Sequence, residues 1–356
     1  MEGVGGSLNG FTAEEFTCYM AKVPAAYLKR AITILSDMVL HPSLSSRDME
    51  KEREVIVEEI RMYDDSPGQY VHDLFNQLVW PHHPLGNLLS GTMETVKRLT
   101  RSEIVSYWKR MYHPRHLVVS CAGAFDSARV RTQIEQMVGR RSGGSLQRFI
   151  RAPRALRGPH VRVVRKTTEQ THLCLGMLAI PRTHPQRFAL ELLHVILGGN
   201  MSSRLFREVR EKRGLAYEIG SHVKRYHDTG AFVVYAGCDG PKLPIVIRTI
   251  IAELHRITRE RVRLPELRRA KEFYRGQLLM GLEDTAEHML WVGEHVMTVG
   301  RVSVPEDVVE AMERVTPQQV QAAAQRLFEA SRVFLAVIGP VEERQAASLH
   351  TLCAAI

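Results

Sequence analysis

The chain has 356 residues, 44% of them hydrophobic and 24% charged, with a formal net charge of +9. That length exceeds one typical core and predicts two domains, each with its own apolar interior, in a composition that is globular and not disordered. The positive charge does not predict a nucleic-acid partner. Arg and Lys are scattered, densest at 140–157 and 256–269, without the aromatic interleaving that forms a base-stacking surface. Five cysteines (Cys18, Cys121, Cys174, Cys238 and Cys353) are widely spaced and form no Cys-x-x-Cys pair, the pattern of free thiols in a reducing compartment. No run is long enough for an integral membrane segment, and Met1-Glu2-Gly3-Val4 has neither a basic nor an apolar leader region, so a cytoplasmic location is expected.

In chain order, the first strong element is a helix through Lys51-Glu52-Arg53-Glu54-Val55-Ile56-Val57-Glu58-Glu59-Ile60. Glu52 and Glu59 lie two helical turns apart and share a face, while Val55 and Ile56 mark an apolar side. Charge runs of this kind are usually solvated faces held by Glu/Lys pairs. Two carboxylates on one face are also half of a metal ligand set, and no His-x-x-Glu-His supplies the other half. His82-His83 sits in a Pro-flanked turn, where a structural role is expected.

An internal duplication follows. Leu99-Thr100-Arg101 through Met111-Tyr112 to Leu117–Gly123 aligns without gaps on Val315-Thr316-Pro317 through Leu327-Phe328 to Val333–Gly339. Each copy reads as an N-capped helix, a short turn and a buried strand ending at glycine. Nearly the same offset lays the Glu52 helix on Leu267 to Leu282, so that Glu59 meets Gln277 and Met62 meets Met280. The apolar frame is repeated but the acid is not, as in a duplicated scaffold with one metal site. These repeats predict an α+β chain of two homologous α/β domains, 1–143 and 159–356, joined through a Gly/Arg-rich linker at 144–158.

The remaining histidines do not make a substitute ligand set. His222 and His227 would point to opposite faces of one continuous strand. His288 and His295 are two turns apart on a probable helix, unlike the tight pair that a metal needs.

Several blocks together carry a resemblance. Val4-Gly5-Gly6-Ser7-Leu8-Asn9-Gly10-Phe11-Thr12, Glu15–Val23, the Glu52 helix, Val71-His72-Asp73-Leu74-Phe75 and His83-Pro84-Leu85-Gly86 are followed by Ser203-Arg204-Leu205-Phe206-Arg207-Glu208-Val209-Arg210-Glu211-Lys212-Arg213-Gly214-Leu215-Ala216-Tyr217. In this order they resemble the pitrilysin/insulinase family of zinc metallopeptidases, closest to the processing-peptidase branch, through nearly the whole chain. The resemblance implies mostly antiparallel sheets covered by helices. It also implies zinc held by two histidines of His-x-x-Glu-His and a glutamate on a later helix. Glu59 falls at that glutamate position, and Glu52 at a supporting acidic position behind the ligands.

By family spacing the histidines would lie roughly 17 to 21 residues before Met1. Without them the chain is not expected to hold zinc or cleave peptides. The opening strands of the first sheet would be missing too, and a first half less stable than the second is expected. In relatives an arginine and a tyrosine with the spacing of Arg210 and Tyr217 bind the substrate backbone and stabilise oxyanion charge. Substrate adds as a strand to a sheet edge, near segments that resemble Gly5–Asn9 and Thr168–His172, so Asn9 and Glu169 are the expected peptide contacts. The expected partners are an unstructured peptide and, as a homo- or heterodimer, another family subunit. A non-catalytic partner that donates Arg210 and Tyr217 is the alternative. A purely structural relative is disfavoured by the joint presence of Glu52, Glu59, Arg210 and Tyr217.

Overall fold

A computed structural model describes residues 1–139, 149–153, 159–328 and 333–354. The first part of the chain forms β1 (Ser7–Thr12), β2 (Thr17–Lys22), α1 (Leu28–Leu40), α2 (Ser46–Asp64), α3 (Pro67–Val79), α4 (Met93–Arg98), α5 (Arg101–Met111) and α6 (Ser127–Val138). Next come β3 (His160–Arg165), β4 (Thr171–Ala179), α7 (Arg187–Leu197), a π-helical turn at Phe206–Glu211, β5 (Ala216–Arg225) and β6 (Gly230–Cys238). The remainder is α8 (Leu243–Arg259), α9 (Leu264–Glu283), α10 (Thr285–Val299), α11 (Pro305–Glu313), α12 (Pro317–Leu327), β7 (Val333–Gly339) and α13 (Glu343–Cys353). The mixture is α+β with two sheets, as the sequence predicts.

Contacts group the chain into two compact units that interleave. One holds Met1–Arg61, Leu88–Phe149 and Gly281–Val302; the other holds Met62–Asn87, Ile150–Met280 and Ser303–Ile356. Unit membership is not contiguous in sequence: α3 falls with the second unit and α10 with the first. Of the expected linker, only 149–153 lies within the described residues.

The second unit is built on a five-stranded sheet of order β3-β7-β4-β6-β5, in which β3 and β7 are parallel and the other pairs antiparallel. Alternation along β4 divides its side chains between two layers. Leu173, Leu175 and Met177 join the core built with α7, α8 and α12, whereas Cys174 joins the layer under α3 with Leu74, Phe75 and Trp80. Both faces are covered, which is why β4, β6 and β7 read as continuous apolar runs. Phe75 and Phe232 are fully buried, each worth about 1.5–3 kcal/mol relative to exposure. Gly176 is required where α3 crosses β4: a Cβ there would stand 2.7 Å from Phe75 Cζ and 2.3 Å from the Phe232 carbonyl oxygen.

In the first unit β1 and β2 form an antiparallel hairpin, Ser7 opposite Lys22 and Thr12 opposite Thr17. Its buried apolar side chains, among the described residues, are Ala31, Ile32, Leu40, Val57 and Ile60. Polar contacts supply much of the remaining cohesion. The Trp108 indole N–H donates to the Val39 carbonyl at 2.9 Å, Arg53 donates to the Leu99 carbonyl at 3.0 Å, and Lys22 pairs with Asp284 at 2.7 Å.

Two sequence expectations are corrected here. The second copy of the repeat forms as predicted, with a Thr316 capping box opening α12 and a wholly buried β7. The first copy forms its Thr100 capping box and α5, but Leu117–Gly123 is not a strand, and Val118 and Val119 are 36% and 56% exposed. A strand needs a hydrogen-bonded neighbour, and none of the described residues supplies one. The apolar side of α2 is likewise not marked by Val55, which is 49% exposed; Val57 and Ile60 are the buried pair, three positions apart as helical packing demands.

Candidate functional site

The most developed constellation lies in the second unit, where two backbone irregularities bring Arg210 and Tyr217 together. Leu205 and Val209 are fully buried and fix one side of the turn in the core. Between and after them the backbone widens to a π turn, with Lys212 N–H donating to Arg207 O at 2.9 Å, and ends through Gly214 at φ +57°. Short π segments widen a helix locally and recur at functional sites. The chain then enters β5 through a bulge. Ala216 lies opposite Cys238 and Glu218 opposite Gly237, leaving Tyr217 as the extra residue with its side chain 74% exposed. Bulges re-aim side chains in this way.

The result is a stacked guanidinium. Arg210 Cζ lies 4.8 Å from the Phe206 ring centroid and 4.8 Å from that of Tyr217. Such stacking is worth about 0.5–1 kcal/mol per ring when exposed. More importantly, it fixes the plane of the guanidinium while leaving its N–H edges available, and among the described residues no carboxylate pairs with Arg210. The forked donors of Arg and the phenolic O–H of Tyr217 suit a carbonyl oxygen or an oxyanion.

Beneath the turn, Arg204 forms a two-pronged ion pair with Glu266 at the start of α9, at 2.8 and 2.7 Å. Burial raises the Glu266 pKa, but the Arg204 hydrogen bonds and charge outweigh it and hold the carboxyl below its ordinary range. Phe206 and Glu266 were not legible as site residues. Phe206 carries only the weak signal of standing one helical turn before Arg210, and Glu266 is 62 positions from its partner.

The other predicted residues are placed without such convergence. Glu52 and Glu59 stand on the exposed face of α2 in the first unit. Asn9 is exposed on β1 and its side-chain oxygen accepts from Gly10 N–H at 2.8 Å. Glu169 is exposed in the bend before β4, beside a Thr168 hydroxyl that donates to the Gln170 carbonyl at 2.7 Å.

The histidines set aside in sequence prove structural or solvated. The His83 ring caps Leu85 N–H at 3.2 Å and bonds the Ile150 carbonyl at 3.1 Å. His295 contacts the Trp291 carbonyl at 2.8 Å. His222 lies on β5 and His227 beyond its end, so they do not share one strand. Among the described residues no three His, Cys, Asp or Glu side chains are placed to hold a metal ion. Glu59 is a suitable oxygen donor but lacks the nitrogen or sulfur ligands that select zinc. The described residues therefore do not fit a zinc site unaided.

Sequence and structure comparisons agree on the class of protein to which this fold belongs. Residues 1–93 match the family described as Insulinase (Peptidase family M16), and residues 98–274 match the Peptidase M16 inactive domain. An uncharacterised zinc protease of Streptomyces coelicolor is 37% identical over 358 residues, covering 98% of this chain and 77% of the relative. One from Bacillus subtilis is 32% identical over 337 residues, covering 95% and 81%. The solved structure of a protease from Helicobacter pylori superimposes with a TM-score of 0.87 at 21% identity, covering 95% of this chain and 83% of that one. A chain of Complex III2 from Candida albicans superimposes with a TM-score of 0.85 at 15% identity, covering 98% and 86%. At these identities the two structures speak for the fold alone. The chain belongs to the insulinase family of peptidases, M16.

Proposed function

We propose that the chain forms part of a zinc metalloendopeptidase that acts on unstructured peptides or presequences, with the two histidine ligands and the general base supplied by residues outside these 356. Glu59 is the carboxylate ligand, with Glu52 supporting the site from the same helix face. Arg210 and Tyr217 bind a backbone carbonyl of the peptide and donate hydrogen bonds to the oxygen as negative charge develops on it. Asn9 and Glu169 contact the peptide. The observation that carries the reading is the unpaired, ring-stacked Arg210 guanidinium beside an exposed tyrosine hydroxyl. A donor set held in place before substrate arrives is what oxyanion stabilisation requires. Residence in the cytoplasm is part of the same proposal.

A second reading has its own support. The Phe206–Arg210–Tyr217 stack is complete within one unit, so the chain can equally donate it as a non-catalytic subunit to an active family member. Hydrolysis of a quenched fluorescent peptide library tests both. It is measured for the chain alone, for a polypeptide extended upstream by its own reading frame, and for the chain mixed with an active M16 subunit. Activity in the extended protein that Arg210→Ala reduces by about 10²-fold or more supports the first reading. Activity only in the mixture supports the second. Arg210→Ala and Tyr217→Phe without effect in every active preparation would overturn the assigned roles.

A further inference from the structure

Where α3 docks on the sheet of the second unit, a group of titratable side chains lies outside the Arg/Tyr site. The His72 ring of α3 is 5.2 Å from that of His222 on β5 and 5.7 Å from Tyr235 on β6, and His222 is 5.9 Å from Tyr235. Cys174 Sγ of β4 is 3.4 Å from His72 Nδ1. His172, also on β4, lies so close to Gly68 near the start of α3 that a Cβ there would stand 3.2 Å from its ring. Imidazoles from a helix and two strands thus meet at one contact.

Their charged surroundings are one-sided. Lys224 and His172 act on His72, while His72, Lys224 and His194 of α7 act on His222. Glu218 of β5 acts instead on His172 and Tyr235, and Asp73 of α3 acts on Tyr63. Elsewhere along α3, Arg162 of β3 donates to Gln77 at 2.7 Å, Lys166 pairs with Asp65 at 3.3 Å, and β7 presents Phe334, Ala336 and Ile338. Burial, then these cationic neighbours, lowers His72 to about 4 and His222 to about 3, and burial keeps Cys174 a thiol. Near neutral pH both rings are uncharged, and the Cys174 thiol and His72 Nδ1 share a hydrogen bond whose donor is set by the His72 tautomer.

We infer that this group is an acid-labile latch on α3. A proton taken up by His72 or His222 alters the Cys174 hydrogen bond or the neutral ring contact, and places a largely buried cation beside Lys224. The favoured response is release of α3 from the sheet face made by β3, β7 and β4, which hydrates the rings. α3 begins after only Asp65 and Ser66 beyond α2, and Lys166 holds that junction through the Asp64 carbonyl oxygen and the Asp65 carboxylate. The latch does not depend on the peptidase reading.

Hydrogen exchange of the full chain tests it at about pH 7 and about pH 5, corrected for intrinsic rates, with α8 as internal reference. Two protons bound only by the released state predict that α3 loses protection by at least about tenfold relative to α8. The double variant His72→Phe, His222→Phe removes that dependence. Should the variant not fold, proton NMR titration of the two imidazoles in the natural chain replaces it, and the rings take up protons over the pH range in which α3 opens. Equal protection of α3 at both pH values would overturn the latch. So would opening that persists in the double variant, or rings that titrate near 6.5 while α3 stays closed.

Discussion

The two copies of the internal repeat begin with the same capped helix and end differently. Thr316 opens α12, and the strand that follows, Val333–Gly339, is buried throughout, paired parallel to β3 on one side and antiparallel to β4 on the other. Thr100 opens α5 with an equivalent capping box, yet Leu117–Gly123, with a comparable β-branched run, stays extended and partly exposed without a ladder. The same contrast holds for the units as wholes: a five-stranded sheet sandwiched between apolar layers against a single hairpin and a handful of buried residues. Caps are local, made within the few residues that form them. A strand is a property of its neighbours, because β propensity is mostly packing and pairing.

The largest effect expected from this contrast is in local stability. Under limited proteolysis the first unit is expected to be cut before the second, with early sites around 117–123, since few buried contacts hold it closed. Initial cleavage within β4 or β6 would break the comparison. Next in size are substitutions in the second unit's sheet and in the unpaired 117–123 segment of the first. Phe232→Ala, in the buried layer of β6, should cost about 3–5 kcal/mol, whereas Val119→Ala should stay within about 0.5 kcal/mol. Denaturant titration of both variants measures the difference directly.

Arg204→Ala follows at roughly 3 kcal/mol, because it strands the mostly buried Glu266 carboxylate. It should also loosen the turn that stacks Arg210, which the fluorescence of Tyr217 would report. Acid has a definite effect on the second unit as well. His72, His222 and His194 have folded-state values near 4, 3 and 4, below the ordinary 6.5. Above about pH 6.5 they are neutral in both states and contribute nothing; as the pH falls through that value the unfolded chain binds protons that the folded one resists, so stability declines down to about pH 4. A second-unit melting temperature unchanged between about pH 7 and pH 5 would contradict this. Smallest is Lys22→Ala, which breaks an exposed pair and should change stability by less than about 1 kcal/mol.

What could be read from sequence follows the same division between local and distant. The helix caps and the shared face of Glu52 and Glu59 are spacings along one segment, so they were legible, whereas Arg210 and Tyr217 were singled out through the family resemblance. The Arg204–Glu266 anchor, the Phe206 ring on Arg210 and the His72–His222 contact needed the fold, because their partners come from separate elements or from a π turn that no periodicity announces. The strand expected at 117–123 failed for the same reason in reverse. Its residues were suitable and its neighbours were not among the described residues.

The most direct test of the account is zinc binding by the chain alone and by the polypeptide extended upstream in its own reading frame, each with and without Glu59→Gln. The account predicts weak, Glu59-independent binding by the chain alone. In the extended protein it predicts one tightly held zinc that Glu59→Gln releases. Tight stoichiometric zinc on the 356-residue chain, or an extended protein whose zinc ignores Glu59, would contradict it.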